Sequence, residues 1–409
     1  MVANLAFAYK ARDASGRAVK GRLDAASESV AMSRLHTMGL SPISMVLVPE
    51  GSGLNREINI PGFTKGVSLK DLAIMSRQMA TMIGAGLSLL RTLNILAEQT
   101  ESKPLTRVLV AVRDDVETGV SISDAMAKHS ESFPPLMINM VRAGETGGFL
   151  EGSLDSIAEN FEKEVKLRGT IKSAMTYPVI VLMMSLLSVV AMLIFIVPVF
   201  ENMFDGLGGQ LPLPTMLLVY LSRSMVWVGP LLAVIIIAFA IWWPRNKNTL
   251  RVRKFLDPIK LRLPVFGQLL KKIAVARFSR NFANMIGAGV PILQALTIVG
   301  ETSGNWVVEQ ALVKVSDSVR QGHSIGGPLA QEPVFPNMVT QMISVGEDSG
   351  SLEQMLNKIA DFYDQEVEAS TEQLTAMIEP LMVAFLGIVV GGMIVALYLP
   401  IFTIATLIK

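Results

Sequence analysis

The chain has 409 residues, of which 51% are hydrophobic and 17% charged, with a mean hydropathy of +0.46; a soluble domain carries about 25% charged residues, so the balance points to a membrane protein. Thirty-six Lys and Arg against 35 Asp and Glu leave a net charge of +1, which offers no basic excess for nucleic acid. Cys is absent, which excludes disulfides, zinc thiolates, iron–sulfur ligation and a thiol nucleophile.

The opening MVANLAFAYKARDASGR has no apolar core of the kind a signal peptide requires. Residues 1 to about 170 are therefore expected in the cytoplasm. FAYKARD, Gly16 and VKGRLDA alternate like a two-stranded hairpin. SESVAMSRLHTMG reads as a helix opened by Ser27 and closed by Gly39, and SPISMVLVP as a further strand. Residues 1–50 thus predict a small α+β unit, and 51–66 a polar, Gly-rich linker.

Residues 67–175 predict a helical bundle with short connections. Leu69, Leu72, Ala73, Met75, Met79 and Met82 recur at near-helical spacing over 68–83. The Gly-Ala-Gly that follows ends this helix and leads to a second over about 88–99. A third covers about 104–118, and Phe133-Pro134-Pro135 opens a fourth that is broken between Gly144 and Gly148. A fifth runs from about Leu150 into an apolar segment.

Three uncharged runs are long enough to cross a bilayer, which takes about 20 apolar residues. They predict spans at 176–200, 225–243 and 377–405, with a periplasmic loop over 201–224. Lys163, Lys166, Arg168 and Lys172 precede the first span. Arg245, Lys247, Arg251, Arg253 and Lys254 follow the second, while the loop between holds only Arg223. Positive residues stay on the cytoplasmic side, so the first span runs outward and the second returns. The third follows by parity, since its cytoplasmic flank is acidic.

An internal repeat organises the rest. RQMATMIGAGLSLLRTLNIL from Arg77 matches RNFANMIGAGVPILQALTIV from Arg280. MVRAGETGGFLEGSLDSIAENFEKEV from Met140 matches MISVGEDSGSLEQMLNKIADFYDQEV from Met342, with 11 of 26 positions identical. Pro178 and Pro198 recur as Pro380 and Pro400. Residues 244–376 therefore predict a second helical bundle. Two copies of one soluble domain need one compartment, and the second span, which has no partner in the repeat, returns the chain to it. The fold class is mainly α: an integral membrane protein with two repeated cytoplasmic helical bundles, three transmembrane helices and the small N-terminal α+β unit.

Catalytic chemistry is scarce. No G-x-x-x-x-G-K-[ST] loop occurs, and GETGG at Gly144 puts Glu145 where a phosphate would be repelled. It reads as a helix–helix turn needing positive φ. His36, His129 and His323 lie too far apart for a metal-spaced pair and read as surface or cap residues. Asp155 and Glu159, four apart on one helix, share a face. With Glu101 they form either a calcium-type site or an exposed acidic surface. GIVVG, Gly387 to Gly391, suits close helix packing, within the chain or between copies.

The FAYKARDASGRAVKGRLDA opening, RQMATMIGAGLSLLRTL, GETGGFLEGSL and TYPVIV resemble the type II secretion F-protein and type IV pilus platform family. So do ARFSRNFANMIGAGVPILQAL, GEDSGSLEQML and IEPLM in the second copy, and Thr170 departs from the basic residue expected ahead of TYP. The resemblance implies a multi-pass platform in the bacterial inner membrane that does no chemistry itself. It implies docking of a hexameric cytoplasmic ATPase, lifting of pilin or pseudopilin into a fibre, contact with other inner-membrane machine subunits and with lipid, and self-association. It also implies that the calcium-type carboxylates of the secretion branch fall on Glu101, Asp155 and Glu159. Pilus assembly, protein secretion, a passive scaffold and a transporter subunit remain as alternatives.

Overall fold

A computed structural model describes residues 5–12, 18–25, 28–47, 66–205 and 212–407, which fall into two units, Met1–Thr64 and Lys65–Lys409. In the first, β1 (Leu5–Arg12), β2 (Ala18–Ala25) and β3 (Ser41–Leu47) form an antiparallel sheet in the order β2-β1-β3. Helix α1 (Glu28–Thr37) connects β2 to β3. Alternation puts Phe7 and Ala25 on the buried face, and Ala31 of α1 joins their cluster. Gly39 takes the left-handed φ of +73° that follows α1. The expected turn at Gly16, the Ser27 cap and the linker, apart from Gly66, lie outside the described residues.

The second unit opens with the first repeat: α2 (Leu69–Gly84), α3 (Leu89–Gln99), α4 (Lys103–Glu117), α5 (Ile122–Ala127), α6 (Pro135–Gly147) and α7 (Leu150–Ala191). Ser68 and Asp71 cap α2 reciprocally, which fixes its first turn. Helix α7 continues through a π-helical turn at Met192–Ile196 into α8 (Val197–Asp205), and α9 (Leu213–Asn246) and α10 (Leu250–Arg262) follow. The second repeat matches the first helix for helix: α11 (Phe266–Gly287), α12 (Ile292–Thr302), α13 (Trp306–Arg320), α14 (Gly326–Ala330), α15 (Asn337–Asp348) and α16 (Leu352–Leu407). Helix α10 has no counterpart among the described residues of the first repeat.

Glycines explain why the corner between α6 and α7 recurs. Gly148 and Gly350 hold φ of +74° and +68°, which an L side chain resists. A Cβ on Gly144 would come within 3.0 Å of the Leu150 Cα, and one on Gly346 within 3.0 Å of the Leu352 Cα. Both corners close only because these positions lack a side chain. The turn between α10 and α11 is different: Val265 sits at φ +67° and ψ −59°, a strained γ-turn in which the Phe266 N–H donates to the Pro264 carbonyl at 2.8 Å.

The two bundles are not separate domains. One apolar core runs from Leu72 and Leu93 through Met140 and Phe161 of the first copy into Phe278, Phe282, Leu312 and Tyr363 of the second. Nearer the spans a smaller cluster of Leu167, Leu269, Ile273, Val367 and Leu374 continues it. Fusion follows chiefly from the fit of α7 against α16, with α6 and α7 also packing on α11 and α12.

Three helical stretches are long and apolar enough to cross a bilayer: Leu150–Met203, Leu213–Asn246 and Leu352–Phe402. Within the stretch expected as a loop over 201–224, the described residues are largely helical. Helix α8 runs on past Glu201 to Asp205, and α9 begins at Leu213, well before Met225. The charges that suggested a boundary cancel instead: the Arg223 guanidinium donates to the buried Glu201 carboxylate. Pro198 lacks the N–H that would bond one turn back, and the π turn lies immediately before it. There the Leu193 carbonyl accepts a hydrogen bond from the Ser222 hydroxyl of α9. Thr215 likewise donates to the Ala396 carbonyl, which joins α9 to α16.

Candidate functional site

The candidate functional region is the pair of bundles and the two helices that leave them. Glu145 begins the account. Its carboxylate accepts from the Ile122 N–H at 3.0 Å, the Ser123 N–H at 3.3 Å and the Ser123 hydroxyl at 2.7 Å. Glu347 does the same in the second copy, accepting from the Ile325 N–H at 2.8 Å and the Gly326 N–H at 3.4 Å. Each glutamate fills the N-terminus of a short helix with negative charge. This use of the GE pair is what sequence reading missed, along with α5 and α14. The signal was available: glutamate is identical in both copies, beside a recurring G-x-S-I.

The conserved arginine of the repeat clamps the first helix to the last. Arg77 donates to Glu162 with two bonds of 2.8 Å and also to Asp155. The Arg77 hydrogen bond holds Glu162 below its usual range against a smaller effect of burial. In the second copy, Arg280 donates to Asp364, the equivalent of Glu162. That pair is buried on the arginine side, with 5% of the Arg280 side chain exposed against 39% for Arg77.

The expected metal trio does not assemble, and the structure corrects it. Asp155 pairs with Arg77, and Glu159 pairs with Lys163 at 2.9 Å. Glu101 lines a separate groove with Asp71, Gln78 and Thr100. In that groove Asp71 stays below its usual range: burial acts to raise it, but hydrogen bonds from Ser68 and Ser102 outweigh burial. Among the described residues no three acidic or His side chains gather to hold a cation. The i,i+4 spacing did place Asp155 and Glu159 on one face of α7, but basic partners also reach that face. A donor set already neutralised by Arg77 and Lys163 does not fit calcium, which needs unpaired anionic oxygens.

The same stretch of α7 binds the second repeat. The Asn160 amide donates to Asn281 at 3.1 Å. Lys163 reaches Asp361 at 3.3 Å, and Arg277 meets Glu164 at 2.6 Å. Burial acts to lower the Lys163 ammonium, but Glu159 and Asp361 outweigh it and leave it raised. Above these contacts, Leu167 of α7 and Val367 of α16 share one apolar cluster. Two helices therefore leave one locked body side by side and continue as spans.

Other expectations resolve simply. His36 and His323 are exposed, and His129 is half-buried. Gly387 and Gly391 face open space, so the GIVVG stripe makes no close helix approach within the chain. Thr170, where a basic residue was expected, donates to the Lys166 carbonyl inside α7.

Comparison with known proteins matches this architecture. Residues 75–198 and again 278–400 match the family described as type II secretion system (T2SS), protein F, and residues 5–46 match its N-terminal domain. The chain is 43% identical to the type IV pilus assembly protein PilC of Myxococcus xanthus, over 98% of this chain and 95% of that one. It is 45% identical to the protein of the same description from Thermus thermophilus, over 97% and 98%. Identity to type II secretion system protein F of Vibrio cholerae is 31%, over 97% of each chain. With both repeats and the N-terminal unit matched, and relatives aligned along nearly the whole length, the chain belongs to the type II secretion system protein F family.

Proposed function

We propose that this chain is the inner-membrane platform of a type IV pilus machine, with its N-terminus and both bundles in the cytoplasm. The bundles dock a hexameric assembly or retraction ATPase, and movement of that body passes into the bilayer to lift pilin into the fibre. The observation that carries this reading is continuity: α7 and α16 each run unbroken from the fused core into an apolar span. A helix of this kind transmits rotation or displacement without a flexible joint. Basic flanks at Lys163 to Lys172 and Arg245 to Lys254 support the cytoplasmic placement of the bundles.

The pilus branch is favoured by the higher identity to proteins described as type IV pilus assembly proteins. A second reading, the platform of a type II secretion pseudopilus, is favoured by the family description and by the Vibrio cholerae relative. In neither reading does the chain carry out chemistry. Affinity purification of the full chain from native membranes in mild detergent, with bound proteins identified by mass spectrometry, tests the proposal. Recovery of a hexameric ATPase with a pilin supports it, and a secretion pseudopilin in place of the pilin moves the second reading forward. Recovery of a solute-binding protein, with no ATPase of this kind, would overturn both.

A further inference from the structure

The two repeats meet head to tail. Helices α6 and α7 of the first pack on α11 and α12 of the second. Among the described residues, α15 and α16 make no comparable contact with α2 and α3. The side chains show the same lack of reciprocity. Asn160 meets Asn281, yet their equivalents Phe362 and Gln78 are both exposed. Glu164 meets Arg277, yet the equivalent of Arg277 is Ile74, 48% exposed. A heterologous contact of this type always leaves one complementary face unused at each end.

We infer that a second copy of this chain fills the open face: α15 and α16 of one protomer dock on α2 and α3 of the next, repeating the internal contact between chains. Chemistry favours this occupant. Phe362 is 43% exposed and Val345 59% exposed on the free face of the second repeat. By the register of the internal contact, Phe362 reaches Gln78 of the neighbour, as Asn160 reaches Asn281, and Ile74 lies opposite Glu366, as Arg277 lies opposite Glu164. Ile74 and Gln78 border a groove beside Ala73 and Val165 that offers an apolar seat for a ring.

The membrane imposes a further condition, and the geometry meets it. Lys163 lies beside Asp361, and Leu167 beside Val367, so α7 and α16 run in the same direction toward their spans. Repeating the internal relation therefore keeps every span of every protomer in one bilayer. A dimer that paired identical faces would instead use each surface twice and bring Phe362 against Phe362. The inference rests on the self-association expected of a platform, and it adds the surface and the orientation.

Because the chain has no Cys, thiol cross-linking in membranes is a direct test. Full-length Asn160→Cys/Asn281→Cys, treated with a short bismaleimide, reports the internal contact and sets the reaction conditions. Co-expressed Phe362→Cys and Gln78→Cys chains are then expected to yield a cross-linked dimer, and each single variant alone none. The Phe362→Cys/Gln78→Cys double variant is expected to give a ladder of higher species. A dimer from Phe362→Cys alone would overturn the inference in favour of a two-fold contact. Absence of mixed dimer while native mass measurement shows an oligomer would overturn the surface but keep self-association. A monomer by both measures would overturn both.

Discussion

The two repeats carry the same arginine at the same step of the same helix and bury it to different depths. Arg77 is part-exposed and bridges Glu162 and Asp155, while Arg280 is buried and pairs with Asp364. One Arg280 nitrogen, Nε, and one Asp364 oxygen, Oδ1, have no protein hydrogen-bond partner. Identical motif positions thus acquire different energetic weight from what packs above them. The second repeat packs on the first and also on α10, where Arg253 reaches Glu309 at 2.9 Å and the Trp306 N–H donates to Asp257 at 3.0 Å.

The largest expected effect sharpens this contrast. Arg280→Ala leaves Asp364 without its cation in a half-buried site and is expected to cost about 3–5 kcal/mol. Arg77→Ala breaks an exposed pair, worth about 1 kcal/mol or less in screened solvent. Thermal unfolding of the purified protein in detergent checks the pair of variants, and equal losses in melting temperature would break the comparison. By contrast, Gly148→Ala and Gly350→Ala are expected to cost the same, about 1–2 kcal/mol each. Their left-handed φ is set by the local corner rather than by its surroundings, so a marked inequality would show that packing reaches this turn as well.

Val265 belongs to the second repeat alone. Val265→Gly relieves the positive φ, and after the extra chain entropy of glycine it is expected to stabilise by about 1 kcal/mol. A drop in melting temperature would mean the Val265 side chain contributes more than its backbone costs. Acid acts on the first repeat more gently. Glu162 has a folded pKa below the ordinary 4.5, so its contribution is present above that value and is lost as pH falls through the lower one. Arg77→Ala is expected to flatten this acid dependence, read as melting temperature against pH, and an unchanged slope would assign it elsewhere. The smallest effect is none: calcium is expected to leave the melting temperature unchanged, and a rise would show that Asp155 and Glu159 exchange their basic partners for the ion.

Much of this fold was legible because the repeat gives each motif two readings. MIGAG and the GE pair marked helix ends in register, and three uncharged runs gave the spans. The failures have a common cause, which is that sequence spacing shows who shares a face but not what that face meets. Asp155 and Glu159 were rightly placed together and then met Arg77 and Lys163. Glu201 and Arg223 looked like boundaries because their mutual pairing across α8 and α9 is invisible along the chain. Glu145 was read for what it would repel rather than for the backbone N–H groups it accepts. Fusion of the two bundles into one core was illegible for the same reason, since apolar positions facing a neighbouring repeat look like any others.

Continuity of α7 between the locked bundles and the bilayer is the central claim. Ile171 packs on the last shared apolar cluster, and Lys172 follows it ahead of the span. A flexible Gly/Ser segment inserted after Lys172 leaves the bundles intact and removes only the stiff connection. Fibre assembly and ATPase co-purification, measured on the same membranes, are expected to separate: assembly is lost while the ATPase is retained. Normal fibre assembly with the insertion in place would contradict the account.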